Sequence, residues 1–261
     1  MWLRRTEASP PDGQPGGSAE YRRNVGKIMG RPHTAMKIER NIHGRTLSFY
    51  GEPQSGNVFL QPVAEQDTER VESESEKLEA LCGHTDWCVV SIPVLKWSEE
   101  LTPWKSPQLF GREGFGSGAA GTLAYLRESV MPYLNEACPA GGRRYFLCGY
   151  SLAGLFALWS AHKTGVFAGI AAASPSVWYP GWREYARSHP VKVPRVYLSL
   201  GLKEEKAKNR VMAAVGDAIR EQYELLSGRG VTCVLEWNEG NHFADSDGRM
   251  AKGLAWLLKN L

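Results

Sequence analysis

The stretch Cys148-Gly149-Tyr150-Ser151-Leu152-Ala153-Gly154 joins an apolar run (RRYFLCGY, 143–150) to a helix-forming run that ends near Lys163. A strand that passes straight into a helix forces strained backbone angles on the serine between them. Small residues two positions to either side relieve the crowding. Here those residues are Gly149 and Ala153. The usual spacing is G-x-S-x-G, so Ala153 departs from it, and Gly154 follows at once. Such a turn lifts the Ser151 hydroxyl above the carboxyl edge of a sheet. It also lets the Leu152 N–H, at the positive end of the helix, face a developing oxyanion. A serine in this place also suits an ordinary helix N-cap, and the motif alone leaves both readings open.

A serine hydroxyl is a weak nucleophile until a base takes its proton. His242, in the loop WNEGNHF (237–243), is the only histidine after the strand-like run VTCVLEW (231–237). In a triad of this kind the chain order is serine, acid, histidine. The acid is therefore expected just after PRVYLSLG (194–201), where Glu204 is the first choice and Glu205 the competitor. Either carboxylate also suits a helix start, and a lone loop histidine also serves packing. In the catalytic reading Ser151 attacks, His242 acts as base and then as acid, and the carboxylate orients the imidazole. A second oxyanion donor is expected near Lys96 and Trp97, after the strand 86–94. This chemistry requires no metal or organic cofactor.

The elements that must hold these groups alternate along the chain. Strands are predicted at 56–63, 86–94, 143–150, 169–174, 194–201 and 231–237. Helices are predicted at 67–81, 119–135, from Ser151 to about Lys163, at 206–227 and at 244–260. A long Pro- and Trp-rich loop runs from Leu95 to Gly116. The alternation implies βαβ units, hence an α/β fold with a mostly parallel sheet and helices on both faces. Residues 1–35 are rich in Pro, Gly, Arg and Ser and poor in aliphatics. They are expected to be disordered, leaving 36–261 as the folded domain.

Bulk properties narrow the function. A chain of 261 residues with 43% hydrophobic and 23% charged residues suits one globular domain. A net charge of +3 without a long basic run argues against nucleic-acid binding. The five cysteines have irregular spacing and form no C-x-x-C pair, which fits reduced residues rather than a metal site or a disulfide framework. No apolar run approaches the roughly 20 residues of a membrane span, and residues 1–35 lack the apolar core of a signal peptide. A cytoplasmic location is the expectation.

Four stretches, GYSLAGLFALW (149–159), ASPSVWYP (173–180), YLSLGLKEEK (197–206) and WNEGNHF (237–243), resemble the Putative esterase family of α/β-hydrolases, as does the loop WSEELTPW (97–104). That family includes siderophore esterases and S-formylglutathione hydrolases, and the likeness covers about residues 37–261. It implies the α/β-hydrolase fold and a serine esterase acting on a small-molecule carboxylic ester. By motif position it assigns Ser151 as nucleophile and His242 as base. Some members resemble Ser-His dyads, so the acid is less firmly assigned. The S-P-S-x-W stretch lies beside the active site in the family, which makes Trp178 a candidate pocket residue. Tyr150 is a further candidate, and Trp97, Trp104 and Phe115 from the long loop are expected to complete an aromatic wall. The alternatives are an acyltransferase on the same fold and a non-catalytic protein that uses the fold for binding.

Overall fold

The computed structural model describes residues 37–82, 86–107, 114–137 and 142–261. The expectation of disorder for 1–35 lies outside the described residues. Eight strands form one sheet in the order β1-β2-β4-β3-β5-β6-β7-β8. The strands are β1 (Ile38–Ile42), β2 (Arg45–Gly51), β3 (Asn57–Ala64), β4 (Cys88–Val94), β5 (Arg144–Tyr150), β6 (Gly169–Ala173), β7 (Arg195–Gly201) and β8 (Thr232–Asn238). β1 pairs antiparallel with β2 and β2 antiparallel with β4; every other pair is parallel. This is the α/β-hydrolase sheet.

The six expected strands are present, while the β1–β2 hairpin was not foreseen. β1 reads IERNI, an edge strand with the adjacent charges Glu39 and Arg40 at its middle, and carries little apolar signal. The turn that joins it to β2 is marked only by His43 and Gly44, both at positive φ (48° and 86°), as a tight two-residue hairpin requires.

The helices are α1 (Thr68–Cys82), α2 (Ala119–Tyr125, continued by a π turn at Leu126–Val130 into Met131–Ala137), α3 (Leu152–Lys163), α4 (Trp182–Ser188), α5 (Val215–Gly228) and α6 (Ser246–Lys259). The helix expected over 206–227 is a correction. The chain makes a 3-10 turn at Glu204–Lys206 and a single turn at Arg210–Ala213, and α5 begins only at Val215. Asn209 restarts the helix, because its side chain accepts from the N–H groups of Val211 and Met212.

The inner strands are buried on both faces, as a covered parallel sheet demands. Leu147, Ile170 and Leu198 pack in one layer with Leu123 of α2, Leu155 of α3 and Ile219 of α5. Phe146, Ala171 and Tyr197 pack on the other side with Val71 and Leu78 of α1 and Met250, Leu254 and Leu257 of α6. The chain adds β4 on one side of β3, then returns through α2 to place β5 on the other. That reversal opens a crevice at the carboxyl ends of the central strands, where α/β folds place their ligands.

A buried carboxylate interrupts the apolar pattern on one face of the sheet. Glu74 of α1 lies under the sheet, where Gln61 Nε2 donates to its Oε2 at 2.8 Å. Burial pushes the Glu74 carboxyl up from 4.5 to about 8, although the Gln61 hydrogen bond opposes the shift. The folded protein therefore holds this proton more tightly than the unfolded chain. Its contribution favours folding below pH 4.5 and is lost as pH rises toward 8. Glu74→Gln mimics the protonated acid and is expected to gain about 2–3 kcal/mol over wild type between pH 6 and pH 9. Thermal unfolding of both proteins at the two pH values checks this, and a constant difference in Tm would contradict it.

Cys82, Cys148 and Cys233 carry free thiols. Among the described residues no helix is long and apolar enough to cross a membrane.

Candidate active site

β5 ends at Tyr150 and α3 begins at Leu152, which leaves one residue for the turn. That residue, Ser151, has φ 58° and ψ −121°, a conformation costly for a side chain that is not glycine. The neighbouring positions explain how it is held. A Cβ at Gly149 would lie 2.3 Å from the carbonyl carbon of Ala153, so no larger residue fits. A Cβ at Gly154 would stand 3.0 Å from Pro175, where the segment after β6 crosses the helix. Ala153 is fully buried and its methyl group is accommodated.

Ser151 occupies the N-cap position of α3, yet its hydroxyl makes no capping hydrogen bond. It points instead to His242, with Nε2 3.1 Å from Oγ. The other ring nitrogen, Nδ1, lies 2.8 Å from Glu204 Oε2. The three side chains come from the ends of three strands, β5, β7 and β8, as a site at the carboxyl edge of a sheet requires. They form one continuous chain from an exposed edge inward: the His242 side chain is 23% exposed and that of Glu204 only 5%. Such a chain can draw a proton from the hydroxyl to the imidazole while the carboxylate stabilises the resulting cation.

The structure separates the two carboxylates of the 204–205 turn. Glu205 faces away and pairs with Arg220 of α5 at 2.8 Å. Glu204 turns inward. Its Oε1 accepts from Ser174 Oγ at 2.7 Å, from the Gly201 N–H at 2.8 Å and from Arg249 Nη1 at 2.9 Å. Burial alone would raise the Glu204 carboxyl, but the hydrogen bonds from His242, Ser174 and Gly201 outweigh it and hold the group below the ordinary carboxylate value. Glu204 therefore stays ionised around neutral pH.

The loop after β4 is tied down by Glu100. Its Oε1 accepts from the N–H groups of Leu95 and Lys96 at 3.2 and 2.9 Å, and its Oε2 pairs with Arg45 of β2 at 2.5 Å. The Lys96 N–H is thus engaged by Glu100, and Trp97 is the first residue of the turn Trp97–Glu100.

The aromatic candidates divide by role. Trp104 donates its Nε1 hydrogen to the Pro180 carbonyl at 2.8 Å and packs on Tyr179 and Tyr185, so it anchors the long loop to the segment before α4. Trp178 is half-buried, and its ring lies 6.1 Å from that of Phe115. Tyr150 stands beside the His242 ring at 5.3 Å and donates its hydroxyl hydrogen to the His242 carbonyl at 2.7 Å. It steadies the histidine loop directly.

Three groups at the site escaped the sequence reading. Ser176 Oγ lies 3.4 Å from Ser151 Oγ. Phe243 follows the histidine with 86% of its surface exposed, its ring 5.4 Å from that of His242. Arg249 is completely buried behind the acid. The signal for Arg249 was available: it falls on the stripe of α6 that carries Gly253 and Leu257, where a cation is out of place.

Sheet order, strained serine turn and inward-facing carboxylate define an α/β-hydrolase. The family described as Putative esterase matches residues 70–242, more than half of the chain. This chain belongs to that family, and is a carboxylic ester hydrolase. Similar solved structures include siderophore hydrolase EstA from Aspergillus nidulans (21% identity, TM-score 0.63, covering 87% of this chain and 94% of that one). An IroE-like serine hydrolase from Shewanella oneidensis superposes with TM-score 0.72 at 15% identity, over 86% of this chain and 81% of that one. Enterobactin esterase FES from Shigella flexneri gives TM-score 0.62 at 16% identity, over 88% of this chain but 60% of that longer one. At such identities these likenesses bear on the fold. Among curated proteins no sequence matches.

Proposed function

We propose that the chain cleaves a small-molecule carboxylic ester in two steps, through an acyl-enzyme on Ser151. The observation that carries this reading is the hydrogen-bonded chain Ser151–His242–Glu204, at 3.1 and 2.8 Å, built on a serine whose backbone is strained and whose hydroxyl caps nothing. His242 takes the Ser151 proton as Oγ attacks the ester carbonyl. The N–H of Leu152, with that of Trp97 as second donor, receives the oxyanion. Collapse expels the alcohol, which takes the proton from His242. Water then repeats the sequence and releases the acid. Glu204 holds the imidazole in the tautomer that leaves Nε2 free to accept. The free thiols of Cys82, Cys148 and Cys233 support a reducing, cytoplasmic setting.

On the substrate side the reading is a short or aromatic ester. Phe243 supports it, since an aromatic ring left in solvent beside the base offers a stacking face. Phe243→Ala is expected to raise KM for p-nitrophenyl benzoate by about 3- to 10-fold while leaving the acetate ester nearly unchanged. Equal effects on both esters would remove Phe243 from the pocket.

The test of the reaction is mass spectrometry of protein quenched in acid during turnover of p-nitrophenyl butyrate. One butyryl group on the peptide that carries Ser151 is the expected result. Rapid p-nitrophenol release with the acyl group on another residue, or release by Ser151→Ala at the wild-type rate, would overturn it.

A further inference from the structure

Arg249 is the largest charged side chain in the interior and is 0% exposed. Its guanidinium reaches both halves of the site at once. Nη1 donates to Glu204 Oε1 and Ser174 Oγ, each at 2.9 Å, and to Tyr150 Oη at 3.1 Å. Nη2 donates to the carbonyls of Glu239 and Asn241, at 2.9 and 3.0 Å, on either side of Gly240. The first set fixes the acid at the end of β7, and the second fixes the loop after β8 that carries His242. The space for it is reserved: a Cβ at Gly201 would lie 2.7 Å from Nη2. A buried ion pair adds little net stability over an apolar substitute, so stability alone explains poorly why this helix carries arginine there. A planar fork with donors on two edges holds two loops in register, which a lysine ammonium does not.

We propose that Arg249 is the positioning residue of this site: it sets the distance between Glu204 and His242 and offsets the carboxylate charge that the imidazole feels. The inference rests on the serine-hydrolase reading above. Among the described residues, the ionisable side chains seen against the Glu204–His242 pair are Tyr150 of β5 and Arg249 of α6. Removing the guanidinium charge leaves the buried Glu204 carboxylate without its counter-charge beside the imidazole. Loss of the fork without loss of charge instead loosens the geometry.

The experiment follows the rate at which a fluorophosphonate labels Ser151, as a function of pH and probe concentration, in wild type, Arg249→Lys and Arg249→Met. Arg249→Lys is expected to lower the maximal labelling rate by about 10- to 100-fold, with half-saturation within about threefold and the pH midpoint retained. Arg249→Met is expected to lower the rate further and to move the pH midpoint away from that of wild type. A lysine variant that labels within about threefold of wild type overturns the proposal, as does a folded methionine variant with the wild-type midpoint. If circular dichroism shows that Arg249→Met does not fold, the lysine variant decides alone. Failure of the wild type itself to label overturns the hydrolase reading, and this inference with it. Labelling of wild type and lysine variant at equal rates overturns only this inference.

Discussion

Ser151→Ala is expected to lower kcat/KM for p-nitrophenyl esters by about 10⁴- to 10⁶-fold, with Tm within a few degrees of wild type. In the proposed mechanism the oxygen removed is the one that attacks, so what survives is the assistance of the proposed oxyanion donors to water. Stability should hold because Ser151 is only partly buried and the side chain of its partner His242 is 23% exposed, so the imidazole can turn to water. The backbone at φ 58° is set by the strand-to-helix passage and its glycines, and alanine meets the same strain as serine. His242→Ala should fall by a similar factor, because a serine without its base is as inert as no serine. The double variant should then be no worse than either single one, since the two groups act as a unit. Additive losses would mean that they serve different steps. Glu204→Gln should cost less, since orientation from Tyr150 and the Arg249-bound loop persists.

The parts of this molecule that were legible in the sequence share a cause. Strands β3 to β7 are buried apolar runs with turn residues between them, β8 at the sheet edge is a half-buried run, and the helices that separate them are rich in apolar residues. Those signals are local. The serine turn was legible because its sterics demand small residues at fixed spacing, and the histidine because chain order confines it to one loop. The preference for Glu204 over Glu205 rested on its distance from Gly201. What decides between them in the fold is non-local: Glu205 meets Arg220 of α5, while Glu204 meets Ser174 after β6 and Arg249 of α6. Partners 15 to 45 residues away leave no trace in a local pattern. The β1–β2 hairpin was missed because an edge strand needs few apolar residues. The helix over 206–227 was overextended because amphipathic spacing continues through a segment where Asn209 supplies a fresh start.

Gly149→Ala is expected to be the most damaging single-methyl change near the site, and Ala153→Gly one of the mildest. At Gly149 the added Cβ would lie 2.3 Å from the backbone carbon and 2.4 Å from the backbone oxygen of Ala153. These are main-chain atoms in the first turn of α3, so no rotamer change relieves the contact and either β5 or α3 must move. Overpacking of a rigid core costs about 1–3 kcal/mol and more where backbone must shift, which in a domain of this size lowers Tm by roughly 5–10 °C. The same movement carries Ser151 away from His242, so activity should fall by about 100-fold even in the fraction that stays folded. Ala153 is the reciprocal case. Its methyl already fits, and its removal costs about 1 kcal/mol of helix propensity without touching the hydroxyl. Its kcat/KM should therefore stay within about threefold of wild type. Thermal unfolding and p-nitrophenyl butyrate kinetics on the two variants read both quantities. A Gly149→Ala protein with wild-type Tm would mean that the turn is looser than its contacts indicate. An Ala153→Gly protein with sharply altered turnover would mean that the alanine shapes the oxyanion site itself, and that its departure from the G-x-S-x-G spacing is part of the chemistry.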